Sequence, residues 1–186
     1  MPRTAKVLST DRESVQLREL RSSDAGEYHA LVQRSLEHLT RLGDYQRTGD
    51  TEVQGNAAGF ADIAEVPVRF GVLDHDRLVG RVDLVPVEPP RYGLGYWLGA
   101  EPTGRGIATS AAVALLRYAQ HGLAATDVFA GVTHGNDRST ALLRRLGFQV
   151  AAHLDTYTRF HLALTATAHG DPDSQHDAVL PARADH

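Results

Sequence analysis

The chain has no cysteine among its 186 residues. That absence excludes disulfides, thiolate metal sites and a covalent cysteine acyl-enzyme. No apolar run approaches the length needed to cross a bilayer, and the N-terminal Met-Pro-Arg-Thr-Ala-Lys has no hydrophobic segment behind it. Neither a membrane partner nor a secretory signal is therefore expected, and a cytoplasmic location is the economical expectation. Positive charge of the kind that binds nucleic acid is also missing. The net charge is −4, and no Lys/Arg stripe runs along any segment. Much of the acidic excess sits at the C-terminus, where Asp171, Asp173, Asp177 and Asp185 face only Arg183. Ten histidines are present, but none falls into a spacing such as His-Glu-x-x-His, so no metal is expected. There is no internal repeat.

What is present is enough apolar sequence, 42% of residues, to fill the core of one domain. The chain is organised around one stretch. Tyr92-Gly-Leu-Gly-Tyr-Trp-Leu-Gly-Ala100 reads as a strand, and Glu101-Pro-Thr-Gly-Arg-Gly106 reads as a glycine-containing turn. The turn opens into a helix whose Ile107, Ala111, Leu115 and Tyr118 recur at spacings of four and three, which places them on one face. Strand, glycine turn and helix N-terminus together make an anion site, because first-turn N–H groups lack intrahelical partners and the helix dipole adds positive charge there. Gly104 and Gly106 allow close backbone approach to a diphosphate, and Arg105 adds a cation at the rim. The spacing excludes two other phosphate loops. No Gly-Lys-Ser/Thr follows a four-residue spacer, and the third glycine of a dinucleotide fingerprint is missing.

The rest of the chain predicts an α/β domain around a mixed sheet of six to seven strands. Residues 1–13 read as a flexible lead-in, residues 14–165 as the domain, and residues 166–186 as a disordered tail of small, polar and acidic residues. A first strand is expected over Val15–Leu20, with Ser22, Ser23 and Asp24 as candidate caps for a helix that carries Tyr28, Leu31, Leu36 and Leu39 and ends near Gly43. Residues 43–60 read as a loop with a short helix, a candidate substrate lid. Val66–Val72 and Leu78–Val87 form a hairpin around Asp74-His-Asp-Arg77, and Pro86, Pro89 and Pro90 end its second strand. After the central helix, which stops at Gly122, come a strand over Asp127–Thr133, a helix over Asn136–Gly147 and a closing hairpin. That last helix turns Leu142, Leu143 and Leu146 inward. The helices after the fourth and fifth strands permit those two strands to pair in parallel.

Thr103-Gly-Arg-Gly-Ile-Ala108 resembles the acetyl-CoA loop of the GNAT superfamily of N-acetyltransferases, Gln/Arg-x-x-Gly-x-Gly/Ala, departing from it at Thr103. A second motif, Asn136-x-x-Ser139-x-x-x-Leu143-x-x-Leu146-Gly147-Phe148, is similar to the family's downstream pattern and stands in the expected order and interval. Leu94-Gly-Tyr-Trp-Leu98 and Glu37-His-Leu39 resemble the RimJ/RimL-like branch, which acetylates N-termini of ribosomal proteins. The likeness spans Val15 to Leu164. It implies a fourth and fifth strand that splay apart around the pantetheine arm of acetyl-CoA, with Leu98 offering its backbone to that arm. It also implies a pyrophosphate held by the amides of Gly104, Arg105, Gly106, Ile107, Ala108 and Thr109, with Thr103 at the mouth of the loop. Asn136 would bond the pantetheine and Ser139 would sit near the sulfur. Members of this branch often pair, so a homodimer is expected.

The chemistry so implied is direct attack of a primary amine on acetyl-CoA, with no covalent enzyme intermediate and no metal. Many members of the branch carry an acidic residue just before the Gly-Tyr-Trp strand. Here the residues are Arg91-Tyr92-Gly93, so another base is needed, and Glu37 is the candidate. An α-amine with a pKa near 8 is roughly a tenth neutral at pH 7, while a lysine near 10.4 is neutral about once in 2,500. The absence of a strong base therefore leans toward an N-terminal α-amine. Two alternatives stay open: a small amine such as an antibiotic or polyamine, and a non-catalytic acetyl-CoA-binding module. Asn136 also reads as a plain helix cap, Ser139 as a solvated helix residue, the Glu37–His38 pair as a solvated face and His134 as a loop residue. Tyr96 and Trp97 alternate on their strand, so one of them belongs to the core.

Overall fold

The computed structural model describes residues 5–42, 68–102 and 104–164. The alternating pattern of Val15-Gln-Leu-Arg-Glu19 forms β2, which pairs with β1 (Val7–Ser9) on one side and β3 (Val68–Asp74) on the other. Between β2 and β3 lie a 3-10 turn at Ser22–Asp24 and helix α1 (Ala25–Thr40). Asp24 fixes this entry: its carboxylate accepts from the Arg21 amide at 2.8 Å and from Arg18 at 3.0 Å. β4 (Arg77–Glu88) and β5 (Arg91–Leu98) follow, then α2 (Ile107–Gly122), β6 (Asp127–Thr133), α3 (Asp137–Arg145), β7 (Gln149–His153) and β8 (Tyr157–Ala163). The β3–β4 turn has His75 at φ 50° and Asp76 at φ 62°, the positive pair that a two-residue hairpin requires.

Among the described residues eight strands form one sheet, in the order β1-β2-β3-β4-β5-β6-β8-β7. Every pairing is antiparallel except β5 with β6. The sheet is thus one strand larger than the sequence suggested. The extra strand, β1, lies within the stretch expected as an unpatterned lead-in. Val7 and Ser9 are exposed at this edge and only Leu8 packs against the core, so backbone pairing to Arg18, Leu17 and Gln16 and one inward side chain hold the strand, too short an alternation to stand out in the sequence. With β1 counted, the parallel pair expected as the fourth and fifth strands is β5 and β6. β4 also continues through Pro86, which the sequence reading placed at its end. Pro86 still pairs with Tyr92, and the register slips between Pro86 and Glu88 before Pro89-Pro90 turns the chain.

The sheet's two faces are covered by different helices. Phe70 and Val82 face each other across β3 and β4, and Tyr118 of α2 meets Phe70 edge-on with ring centroids 5.8 Å apart. Arg81 and Trp97 point the other way, as period-two alternation requires, and α1 covers them. Tyr28 donates no packing surface to α2's side: its hydroxyl accepts from Arg81 at 2.8 Å and its ring meets Trp97 at 5.6 Å. Trp97 is the core member of the Tyr96–Trp97 pair, and Tyr96 is half-buried. Of the predicted inward faces, Ile107, Ala111, Leu115, Leu142 and Leu143 are buried.

Candidate active site

β5 and β6 pair only over Arg91–Gly93 with Asp127–Phe129. Beyond Gly93 the strands separate, and the edge of Leu94–Leu98 that faces β6 has no ladder partner among the described residues. A cleft of about 760 Å³ opens there, within the range of small-molecule sites. Leu94–Leu98 of β5 and Gly131–Thr133 of β6 form its walls, with the loop before α2, the start of α3 and the end of α1 closing its ends.

The α2 end is built for an anion. Gly104 and Gly106 take φ of +81° and +78°, the left-handed region. Gly106 is the N-cap and offers no side chain to the helix, so the amides of Ile107, Ala108 and Thr109 lack side-chain capping partners; the Ser110 N–H donates to the Gly106 carbonyl at 3.1 Å. No acidic residue occupies the first turn to compete for the positive end of the dipole. Gly104, Gly106, Ile107, Ala108, Thr109 and Leu98 all line the cleft. Thr103 lies outside the described residues, as do the loop at 43–60 and the C-terminal tail.

Arg105 does something the sequence did not suggest. Its guanidinium reaches away from the rim to the buried Asp74 carboxylate, 3.1 Å distant. Burial pushes the Asp74 carboxyl up, but a hydrogen bond from Ser14 and the charges of Arg105 and His75 outweigh it, leaving the group below its ordinary 3.8. The loop is thereby braced on the β3–β4 hairpin. The guanidinium of Arg12, from the β1–β2 turn, also comes close: a Cβ on Gly106 would lie 3.4 Å from it.

At the α3 end, Asn136 is the helix N-cap, and its Oδ1 accepts from the Ser139 amide at 3.1 Å. That bond uses the carbonyl oxygen and leaves the side-chain NH2 available as a donor. Asn136 and Ser139 both line the cleft. Tyr96 makes a long contact of 3.5 Å to the Ser139 carbonyl, and burial pushes its hydroxyl above the ordinary 10.0, so it stays protonated.

Glu37 does not join them. It is exposed on α1 and is absent from the cleft lining, whereas His38 is in it. Leu31, Ser35, His38 and Leu42 follow one another at spacings of four, three and four, so His38 shares the inward stripe and Glu37 stands outside it. His38 is held below its ordinary 6.5, first by burial and then by the charges of Arg41 and Arg138. Arg41, Arg138 and Arg145 also line the cleft and were not singled out from the sequence. The helical spacing from Leu31 would have found His38; nothing local to the sequence brings Arg41 and Arg138 together. His134 is exposed and outside the lining. Among the described residues no group of acidic and histidine side chains is placed to hold a metal, and no helix is long and apolar enough to cross a membrane.

A strand pair that splays beside a glycine-capped helix N-terminus is the architecture of an acyl-CoA-dependent acetyltransferase. Residues 14–149 match the family model described as the acetyltransferase (GNAT) domain, and the chain belongs to that family. It is an N-acetyltransferase that uses acetyl-CoA. Among solved structures, RimL, a ribosomal L7/L12 α-N-protein acetyltransferase, in complex with coenzyme A, superposes with a TM-score of 0.75 at 17% identity, over 87% of this chain and 100% of that one. RimJ of Mycobacterium smegmatis, in complex with a CoA disulfide, gives 0.69 at 22% identity, over 87% and 88%. An acetyl transferase of Salmonella typhimurium that modifies the N-terminal serine of L7/L12 gives 0.69 at 21%, over 86% and 100%. At these identities the likeness is one of fold. Comparison with curated proteins finds no match.

Proposed function

We propose that this enzyme acetylates the N-terminal α-amine of a protein or peptide. The observation that carries this reading is the cleft's lining: among the described residues its only carboxylate is Asp137, and its one imidazole, His38, is held low. Such a site has no group strong enough to deprotonate a lysine, but an α-amine needs little help. The RimL- and RimJ-like fold supports the same acceptor class.

In this reading the amides from Gly104 to Thr109 hold the pyrophosphate, Leu98 and Asn136 bond the pantetheine, and a β5 amide polarises the thioester carbonyl. The neutral amine attacks that carbon, its proton passes to His38 or to water, and the C–S bond breaks. Ser139, with the protonated Tyr96 beside it, donates to the departing sulfur. His38 replaces Glu37 as the proton acceptor because it is the one that lines the cleft.

The test is release of coenzyme A with acceptors matched in sequence. Peptides with a free α-amine and no lysine are compared with N-acetylated peptides carrying one lysine, and with polyamines and aminoglycosides. The neutral fractions at pH 7 differ by roughly 250-fold between the two amine types, so the α-amine is expected to react about a hundredfold faster or more. Preferential turnover of lysine, a polyamine or an aminoglycoside would overturn the assignment.

A further inference from the structure

Several arginines of this chain are paired with carboxylates. Arg18, Arg77, Arg81, Arg91 and Arg105 each stand within 4 Å of a carboxylate. Arg41 and Arg138 line the cleft, are exposed, and have no carboxylate partner among the described residues. In a chain of net charge −4, Arg41, Arg138 and Arg145 in the wall of one cleft, none with a carboxylate partner among the described residues, are a local concentration of positive charge against the overall balance. Asp137, the only carboxylate of the described lining, does not neutralise all three.

Their position decides which ligand meets them. The anion site at the α2 N-terminus lies on the face of the sheet that α2 covers, and α1 covers the opposite face. A cofactor held by the α2 amides enters the splay between β5 and β6 from its own face. The acceptor must reach the thioester from the α1 side, where His38 and Arg41 stand; α3 packs in the core with α2, yet its Arg138 comes close enough for its charge to act on His38.

We propose that Arg41 and Arg138 form an acceptor subsite for amines that carry an anionic group close to the reacting nitrogen, such as an acidic residue within the first few positions of a polypeptide. This deepens the acetyl-transfer reading and rests on it. Two cations repel an ammonium and attract a carboxylate, so the subsite admits the amine in its neutral, reactive form while holding the acceptor by its anion. The same two charges help to keep His38 neutral and able to take a proton. The carboxylate could come from a peptide's acidic residue or from a small amino-carboxylate, and the two sources separate experimentally.

Calorimetry on protein saturated with coenzyme A, where no transfer occurs, tests binding directly. The ligands are Ser-initiated peptides with acidic, neutral or basic residues at positions two to four, plus small amines with and without a carboxylate. Acidic peptides are expected to bind at least tenfold tighter than basic ones at low salt, and the gap should shrink as salt is raised. Arg41→Gln and Arg138→Gln should each narrow the gap severalfold with acetyl-CoA affinity unchanged, and Arg138→Glu should favour basic peptides. Both side chains are exposed, so these variants keep the fold. Tight binding of small amino-carboxylates alone would keep the subsite and assign it to a small acceptor. Equal binding of acidic and basic ligands, or a loss that falls on acetyl-CoA instead, would overturn the proposal. If no acceptor is acetylated at all, the functional reading fails, while the binding comparison still decides the subsite.

Discussion

Gly106 allows the cofactor site to be tested against fold stability in one experiment. At φ +78° the residue sits where any L-side chain is strained, and a single alanine there costs about 1–2 kcal/mol. Its Cβ would meet no protein atom closer than the Arg12 guanidinium at 3.4 Å, the far end of a flexible side chain, so no packing penalty is added. For a domain of this size 1 kcal/mol moves Tm by about 2–4 °C, so Gly106→Ala should melt about 2–8 °C lower. Gly147 is the control. It has φ +91°, a nearest neighbour at an ordinary 3.6 Å and no place in the cleft, so Gly147→Ala should lose a similar amount. The two variants part on the ligand. A Cβ at the mouth of the phosphate cradle displaces at least one charge-assisted amide bond, worth about 1.5–3 kcal/mol, or a roughly 10- to 150-fold weaker affinity. At a coenzyme A concentration of 100 Kd the wild type gains about 2.7 kcal/mol of stability; a variant binding thirtyfold more weakly gains about 0.9. Thermal melts with and without coenzyme A, backed by calorimetry, read both quantities. Gly106→Val, β-branched at positive φ, should lose more of each. A folded Gly106→Ala protein with wild-type affinity would refute the cradle.

Other tests address the remaining parts of the site. Ser139→Ala should lower kcat about tenfold to a hundredfold and leave acetyl-CoA affinity unchanged, since a bond to the leaving sulfur strengthens only as charge develops; steady-state kinetics with wild-type kcat would reduce Ser139 to a helix residue. The His38 ring should titrate below 6.5 by NMR, and Arg41→Gln or Arg138→Gln should move its midpoint up, because each removes a cation that opposes protonation. Asp74 contributes stability that is fully present above the ordinary carboxylate value of 3.8 and lost as pH falls through its lower folded value. Asp74→Asn should therefore melt a few degrees lower at pH 7 and lose less on acidification below pH 4; parallel melting curves at every pH would deny the carboxylate that role.

The features legible in the sequence are those written in local spacing. Gly104 and Gly106 ahead of the Ile107–Ala111–Leu115 stripe announced a helix N-terminus open to an anion, and Asn136 with Ser139 three residues on announced the cap that the structure shows. β1 was missed because a three-residue edge strand turns a single side chain, Leu8, toward the core, which is too little alternation to read from the sequence. Glu37 was chosen by its chemistry, although the spacing from Leu31 already favoured His38. Arg105 was placed on the phosphate because it lies between the two glycines, and no local pattern reveals that Asp74, thirty-one positions earlier, waits beneath it. The convergence of Arg41 and Arg138 on His38 is likewise a product of the tertiary fold.

The Arg105–Asp74 pair changes how the cofactor end of the cleft works. A guanidinium tied to a buried carboxylate brings no net charge to the loop, so the attraction for a pyrophosphate there comes from oriented amides, the α2 dipole and the Arg12 guanidinium beside Gly106. Fixed dipoles do not need to reorganise when the anion arrives, and they are short-ranged. The acceptor end is built the other way: Arg41 and Arg138 are full charges without partners among the described residues, and their field reaches beyond contact distance. Salt should therefore weaken the two ligands unequally. The cofactor's grip on the loop should change less than acceptor selection over the same range, because the first rests largely on backbone geometry with one cation, Arg12, beside it, and the second on exposed charge alone.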